Sequence, residues 1–189
     1  MPFKLVTLDQ ARRSLAAGPQ RFTQTYPGVF LLAIGLLRAR QIDPPERGET
    51  GGTREYPALD LERTLSMSFG ERLTHAMQDH ALAGCTFFLP SDLAGQVQTI
   101  GRRVGSDLTV PDQSVSEHHC TVSLPEPHDR LIVTDLNSTN GTSIDLRALA
   151  PGEPAELPDE AILTVGRYGF QLLCATTLHR ALLELVRPA

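Results

Sequence analysis

Leu131-Ile132-Val133-Thr134-Asp135-Leu136-Asn137-Ser138-Thr139-Asn140-Gly141-Thr142 passes from a β-type run into a cluster of hydroxyl, amide and glycine residues. The first part is rich in residues that suit a pleated, half-buried surface, and the second in residues that turn a chain. The alternation extends outward in both directions. Upstream lie Thr86–Leu89, Gln96–Ile100, Leu108–Val110 and Cys120–Leu124, and downstream Ile162–Val165 and Gly169–Cys174, all short and divided by turn chemistry. Many short runs at close, regular spacing predict a mainly β domain, a sandwich or barrel. Beyond Thr176, Leu178-His179-Arg180-Ala181-Leu182-Leu183-Glu184-Leu185-Val186 returns to helical spacing and stops at Pro188, which predicts a C-terminal helix within 176–189.

Ahead of the β-type runs the pattern is different. From Asp9 to about Gln41 the chain is rich in Ala, Leu, Arg and Gln, punctuated by Gly18-Pro19 and Pro27-Gly28, and reads as two short helices with an apolar segment between or within them. Residues 43–57 are rich in Pro, Gly and charge and predict a flexible loop. Leu61, Leu65, Phe69, Leu73 and Met77 recur every four residues, the stripe of an amphipathic helix that ends near Gly84. The expected division is thus a helical N-terminal region over 1–84, a β-sandwich over 85–175 and the terminal helix over 176–189.

Composition narrows the function classes. With 189 residues, 41% hydrophobic and 21% charged, the chain suits one globular domain plus extra chain. The longest apolar stretch, Gly28–Leu37, is shorter than the roughly 18 residues a membrane-spanning helix needs. The N-terminus lacks the layout of a secretory signal, so a cytoplasmic location and no membrane insertion are expected. Cys85, Cys120 and Cys174 form no paired motif and read as buried thiols in a reducing compartment, with no metal site. Residues 1–84 hold 10 basic and 9 acidic side chains, whereas 85–189 hold 7 and 13. Duplex nucleic acid would be repelled by the second part, so any phosphate site there must be local and built from a few placed donors.

Enzyme signatures are missing: the sequence has no phosphate-binding Gly-x-x-x-x-Gly-Lys loop, no Gly-x-Ser-x-Gly elbow and no His-Glu-x-x-His zinc helix. His75 and His80 are five apart and do not share a helical face as metal ligands would. Ser116, His119 and Asp135 bring a hydrolytic triad to mind, yet no oxyanion site accompanies them, and Ser-x-x-His in a turn is also a structural hydrogen-bonded pair. No catalytic residue and no cofactor are expected.

One order absorbs all these polar residues. Gly101-Arg102 closes a strand, Ser116-Glu117-His118-His119 begins fourteen residues after Arg102, and Thr139 lies twenty residues after His119, within Ser138-Thr139-Asn140-Gly141-Thr142. This order and spacing resemble the forkhead-associated (FHA) domain, whose pattern runs Gly-Arg, Ser-x-x-His, Ser-x-Asn-Gly-Thr, and the resemblance extends from about Gln98 to Leu173. It implies a β-sandwich of about eleven strands whose loops at one end bind a phosphothreonine in an extended peptide. Phosphopeptide-binding roles fall on Arg102, Ser116, Glu117, Thr139 and Asn140, and loop-supporting roles on Gly101, His119, Asp135, Ser138 and Gly141. The residue types suit phosphate capture, because a phosphate monoester carries about −1.5 to −2 charge and three acceptor oxygens, for which a guanidinium fork and hydroxyls are apt donors. By the same resemblance Asn140 reads the peptide main chain, and His119 ties the binding loops together.

Three departures accompany the likeness. Glu117 stands where the family favours a basic or small polar residue, the usual Asn-Gly hairpin is Ile144-Asp145-Leu146-Arg147, and the late Gly-Asp turn is Glu160-Ala161 after Asp159. Arg103 is expected to face away from Arg102 if the strand continues. The implied partner is a phosphothreonine-containing protein, a Ser/Thr kinase or its substrate, with no nucleic acid. Two other readings stay open: an FHA scaffold that binds without phosphate, motivated by Glu117 and the acidic second part, and a hydrolase using Ser116.

Overall fold

The computed structural model describes residues 3–36, 65–68, 71–72 and 85–186. The main elements among them are β1 (Lys4–Val6), α1 (Leu8–Leu15), α2 (Pro19–Thr25), β2 (Gly28–Leu36), β3 (Thr86–Pro90), β4 (Val97–Gly101), β5 (Leu108–Thr109), β6 (Cys120–Ser123), β7 (Leu131–Asp135), β8 (Thr142–Ile144), β9 (Arg147–Ala148), β10 (Pro154–Leu157), β11 (Ile162–Val165), β12 (Tyr168–Cys174) and α3 (Ala175–Val186), with a short 3-10 turn at Ser91–Leu93. The strands form two sheets, β1-β3-β2-β12-β11-β8-β9 and β10-β7-β6-β4-β5. The fold is mainly β, an FHA-type sandwich with helices at both ends of the chain. The loop expected over 43–57 and most of the helix predicted over 61–84 lie outside the described residues.

The apolar segment Gly28–Leu37, expected inside a helical region, is the main correction: Gly28–Leu36 is strand β2, inserted between β3 and β12. It pairs antiparallel with both, Phe30 lying opposite Leu173 and Phe88. An unbroken apolar run is what a strand covered on both faces requires, and such a run carries no period to separate it from a buried helix. The coverage divides with period two. Val29, Leu31 and Ala33 enter the core between the sheets, while Phe30, Leu32 and Ile34 enter a second core on the other side.

That second core is where the helices pack. Ala11 of α1, Phe22 of α2 and Leu178 and Leu182 of α3 join Phe30, Leu32, Phe88, Ile162 and Leu173 of the sheet. The helix ends have local causes. Thr7 and Gln10 form a reciprocal capping box that starts α1, and Pro19 opens α2 where a missing N–H costs nothing. Phe22, fully buried, stands edge-on to the His179 ring with centroids 5.3 Å apart. The described residues therefore form three layers, helices, seven-stranded sheet and five-stranded sheet.

Candidate functional site

Three connections meet at one end of the sandwich: 102–107 between β4 and β5, 110–119 between β5 and β6, and 136–141 between β7 and β8. Gly101 ends β4 with its Cα against the second of these. A Cβ there would lie 2.2 Å from the Glu117 carbonyl oxygen, a backbone atom with little room to yield, so only glycine allows this approach. The close approach is sealed by main-chain bonds, Arg102 N–H to Ser116 O at 2.9 Å and Arg103 N–H to Glu117 O at 3.2 Å.

Arg102 is half-buried, and its Nε donates to the Val115 carbonyl at 3.1 Å. This bond steers the guanidinium along the Ser116 loop. Among the described residues its two terminal nitrogens have no hydrogen-bond partner. Ser116 Oγ accepts from the Thr139 N–H at 3.1 Å and faces Thr139 Oγ1 at 3.5 Å, so the two hydroxyls adjoin across 23 residues of sequence. Arg102, Ser116 and Thr139 are thereby brought together from three separate loops. Glu117 is exposed and enters this geometry through its carbonyl. Arg103 is exposed too, with Nη1 3.2 Å from His118 Nε2.

His119 is fully buried behind the hydroxyls. Its Nδ1 accepts the Ser116 N–H at 3.0 Å, and its Nε2 stands 3.0 Å from the Gly141 carbonyl. A carbonyl only accepts and an amide N–H only donates, so the pair of bonds selects the neutral ring with its proton on Nε2. Burial depresses the imidazole below its ordinary range, opposed by the Gly141 carbonyl and by Asp135. Asp135 is buried at the start of the third loop. Its carboxylate accepts from Ser138 N–H (2.9 Å), Ser138 Oγ (2.6 Å) and Thr142 Oγ1 (2.5 Å). Burial alone would raise this carboxyl, but the bonds from Ser138 and Thr142 outweigh it and hold it below the usual range.

These contacts dismantle the triad geometry that Ser116, His119 and Asp135 suggested. The bond between serine and histidine runs from the backbone N–H of Ser116 and not from its hydroxyl, His119 spends both nitrogens on main-chain groups, and Asp135 serves its own turn. The Ser-x-x-His pair is the structural one.

Asn140 Nδ2 donates to the Ser114 carbonyl at 2.8 Å, which ties the third loop to the second. Ser114 is fully buried and belongs to a cluster with Asp112, Gly166 and Arg167 that motif spacing does not pick out. The available signal was modest: Gly166-Arg167 fills the gap between two clear strand runs, and Asp112 stands two residues before a serine, the setting of a local side-chain turn. At the departures from the family pattern the chain uses acidic residues in the left-handed region, Asp145 at φ 51° and Glu160 at φ 70°. Asp145 Oδ1 also accepts the Ile162 N–H at 3.0 Å.

The cysteines are free, Cys85 half-buried and Cys120 and Cys174 buried. Burial pushes both buried thiols up, Cys174 to about 12, with Asp135 adding to the effect at Cys120 and Asp159 at Cys174. No helix among the described residues is long and apolar enough to cross a membrane, and no group of three His, Cys, Asp or Glu among them could hold a metal ion.

The chain is thus a two-sheet sandwich whose loops at one end gather hydroxyl and guanidinium donors. Residues 98–166 match the FHA domain family, and the chain carries an FHA domain over that stretch. Similar solved structures include one from a structural and functional analysis of phosphothreonine-dependent FHA domain interactions, 27% identical, with 48% of this chain and 85% of that chain covered and a TM-score of 0.40. The FHA domain of CT664 protein from Chlamydia trachomatis is 22% identical over 48% of this chain and 85% of that one, with a TM-score of 0.43. The N-terminal FHA domain of Rad53p from S. cerevisiae, in complex with a phosphothreonine peptide, is 22% identical over 45% and 73%, with a TM-score of 0.39. No curated protein matches the chain.

Proposed function

We propose that this protein is a non-enzymatic reader that binds phosphothreonine in an extended peptide and docks onto targets of Ser/Thr kinases. The observation that carries the reading is the convergence of Arg102, Ser116 and Thr139 from three loops, with the two hydroxyls 3.5 Å apart. In this reading the Arg102 guanidinium supplies the permanent charge and planar donors, and Ser116 and Thr139 supply hydroxyl bonds to the remaining phosphate oxygens. Asn140 bonds the peptide main chain, and His119, Asp135, Ser138, Gly101 and Gly141 hold the loops. The exposed Glu117 carboxylate is repelled by a bound phosphate and swings into solvent, which keeps affinity modest. The family match over 98–166 supports the assignment. The partner is a kinase or its substrate, and three free thiols fit a reducing, cytoplasmic setting for that signalling role.

Calorimetry with matched phosphothreonine and unphosphorylated peptides from an oriented library tests the reading. Binding of the phosphorylated member alone is expected, weakening below about pH 6 as the phosphate takes up a proton. Equal binding of both members would replace it with a phosphate-independent scaffold.

A further inference from the structure

We infer that the Asp112–Arg167 ion pair is a positioning device that sets the pose of the Asn140 amide, acting through Ser114. The inference deepens the phosphopeptide reading and rests on it for the role of Asn140. Arg167 lies in the β11–β12 turn, 55 residues from Asp112, and grips its carboxylate with Nε at 3.1 Å from both oxygens and Nη2 at 2.5 Å from Oδ2. Side-chain exposure is 8% at Asp112 and 30% at Arg167. Burial would raise the Asp112 carboxyl, but the bonds from Arg167 and Ser114 hold it below its ordinary range. A pair this desolvated is a weak source of stability and a strong constraint on geometry.

What the pair constrains is Ser114. Its N–H donates to Asp112 Oδ1 at 2.8 Å, its Oγ accepts the Arg167 N–H at 3.0 Å, and its carbonyl accepts from Asn140 Nδ2 at 2.8 Å. All three of its polar positions are thus fixed, two of them by the pair's own residues. Gly166, at φ +60°, lets the turn come this near: a Cβ there would lie 2.5 Å from Ser114 O and 2.7 Å from Ser114 Oγ. An amide makes at most four hydrogen bonds, and the one on Ser114 orients the plane from which a peptide is met. Ser114 also lies two residues before Ser116, which His119 and Thr139 hold as well, and next to Val115, whose carbonyl anchors Arg102 through the main chain. The device acts most directly on the Asn140 amide, which Ser114 itself bonds.

The test is a double-mutant cycle in the full chain. Arg167→Lys keeps the charge and removes the fork, while Asp112→Asn keeps the shape and removes the charge, so one serves if the other fails to fold. Phosphopeptide affinity is expected to fall about 3- to 10-fold in Arg167→Lys, the worth of one hydrogen bond. In an Asn140→Ala background the same change should cost nothing further. The side-chain amide signals of Asn140 in 15N-edited spectra should move in Arg167→Lys, and the affinity for inorganic phosphate should fall less than that for the phosphopeptide. Equal losses with and without Asn140, or unmoved Asn140 signals in a folded variant, would overturn the inference. Failure of the wild-type chain to bind any phosphothreonine peptide, with Asn140 signals still moving, would sink the functional reading and leave the positioning of the amide standing.

Discussion

At the loop end, residues 22 to 55 positions apart are joined by single hydrogen bonds and one ion pair, whereas on the outer face of the seven-stranded sheet Phe22, Phe30, Phe88 and Leu178 meet through rings and aliphatic chains. The first region is directional: His119 satisfies one donor and one acceptor in two different loops, and a residue of similar size without both functions cannot replace it. The second is governed by area and shape, so a swap of similar volume is tolerated there. Stability and recognition should therefore separate between the two regions, and substitutions can show whether they do.

The largest effect is expected from removing β2. A fragment of residues 85–186 loses the strand between β3 and β12, exposes both edges and uncovers Phe88, Ile162 and Leu173. It should show no cooperative thermal transition by circular dichroism. A sharp transition would mean that the sandwich expected over 85–175 is self-sufficient and the N-terminal layer an accessory. Next in size is Phe30→Ala. This ring is fully buried, 4.9 Å from Phe88 and 5.5 Å from Tyr26 between centroids. Truncation should cost about 3–5 kcal/mol in urea unfolding and leave ligand affinity unchanged wherever the protein remains folded.

The two regions differ as much in how they show in the sequence. Hydroxyl, guanidinium and imidazole groups are individually distinctive, so the order of Arg102, Ser116, His119 and Thr139 survives as a pattern even though turns separate them. Apolar side chains are interchangeable, and an unbroken run such as Val29–Ile34 names no secondary structure until its neighbours are known. Strand β11 coincides with its predicted run, Ile162–Val165. Strand β10, Pro154-Ala155-Glu156-Leu157, carries no β signal because it has no β-branched residue and opens on proline; it forms at a sheet edge, where a missing N–H is tolerated. Asp112, Ser114 and Arg167 are silent for another reason. Each is an ordinary surface type, and only the pairing of β11 with β12 brings Arg167 to the β5–β6 loop.

Smaller effects are expected at the loop end, and they should fall on recognition. Gly101→Ala pushes a methyl against the Glu117 carbonyl, at about 1–3 kcal/mol of stability, and shifts the Ser116 loop enough to weaken phosphopeptide binding as well. Arg102→Ala leaves a half-buried position and removes one bond to Val115. Its thermal midpoint should hardly move, while phosphopeptide affinity falls by roughly 10- to 100-fold, the loss of charge-assisted hydrogen bonds. An equal loss in Phe30→Ala at a temperature where it is folded would erase the separation between the regions.

The smallest effect is a pH dependence at the loop end. Burial holds His119 below its unfolded value, so the unfolded chain takes up this proton first as pH falls. The stability tied to the neutral ring is complete above about pH 6.5 and is lost as pH falls through the folded value, at no more than about 1.4 kcal/mol per pH unit for one proton. Asp135 and Asp112 are held low, so their contribution is complete above about pH 4 and is lost only under stronger acid. Two steps of decline are therefore expected in urea midpoints between pH 7.5 and pH 3. His119→Gln keeps one donor and one acceptor without the titration. It should flatten the upper step and preserve the lower, and an unchanged upper step would assign that proton to a different histidine.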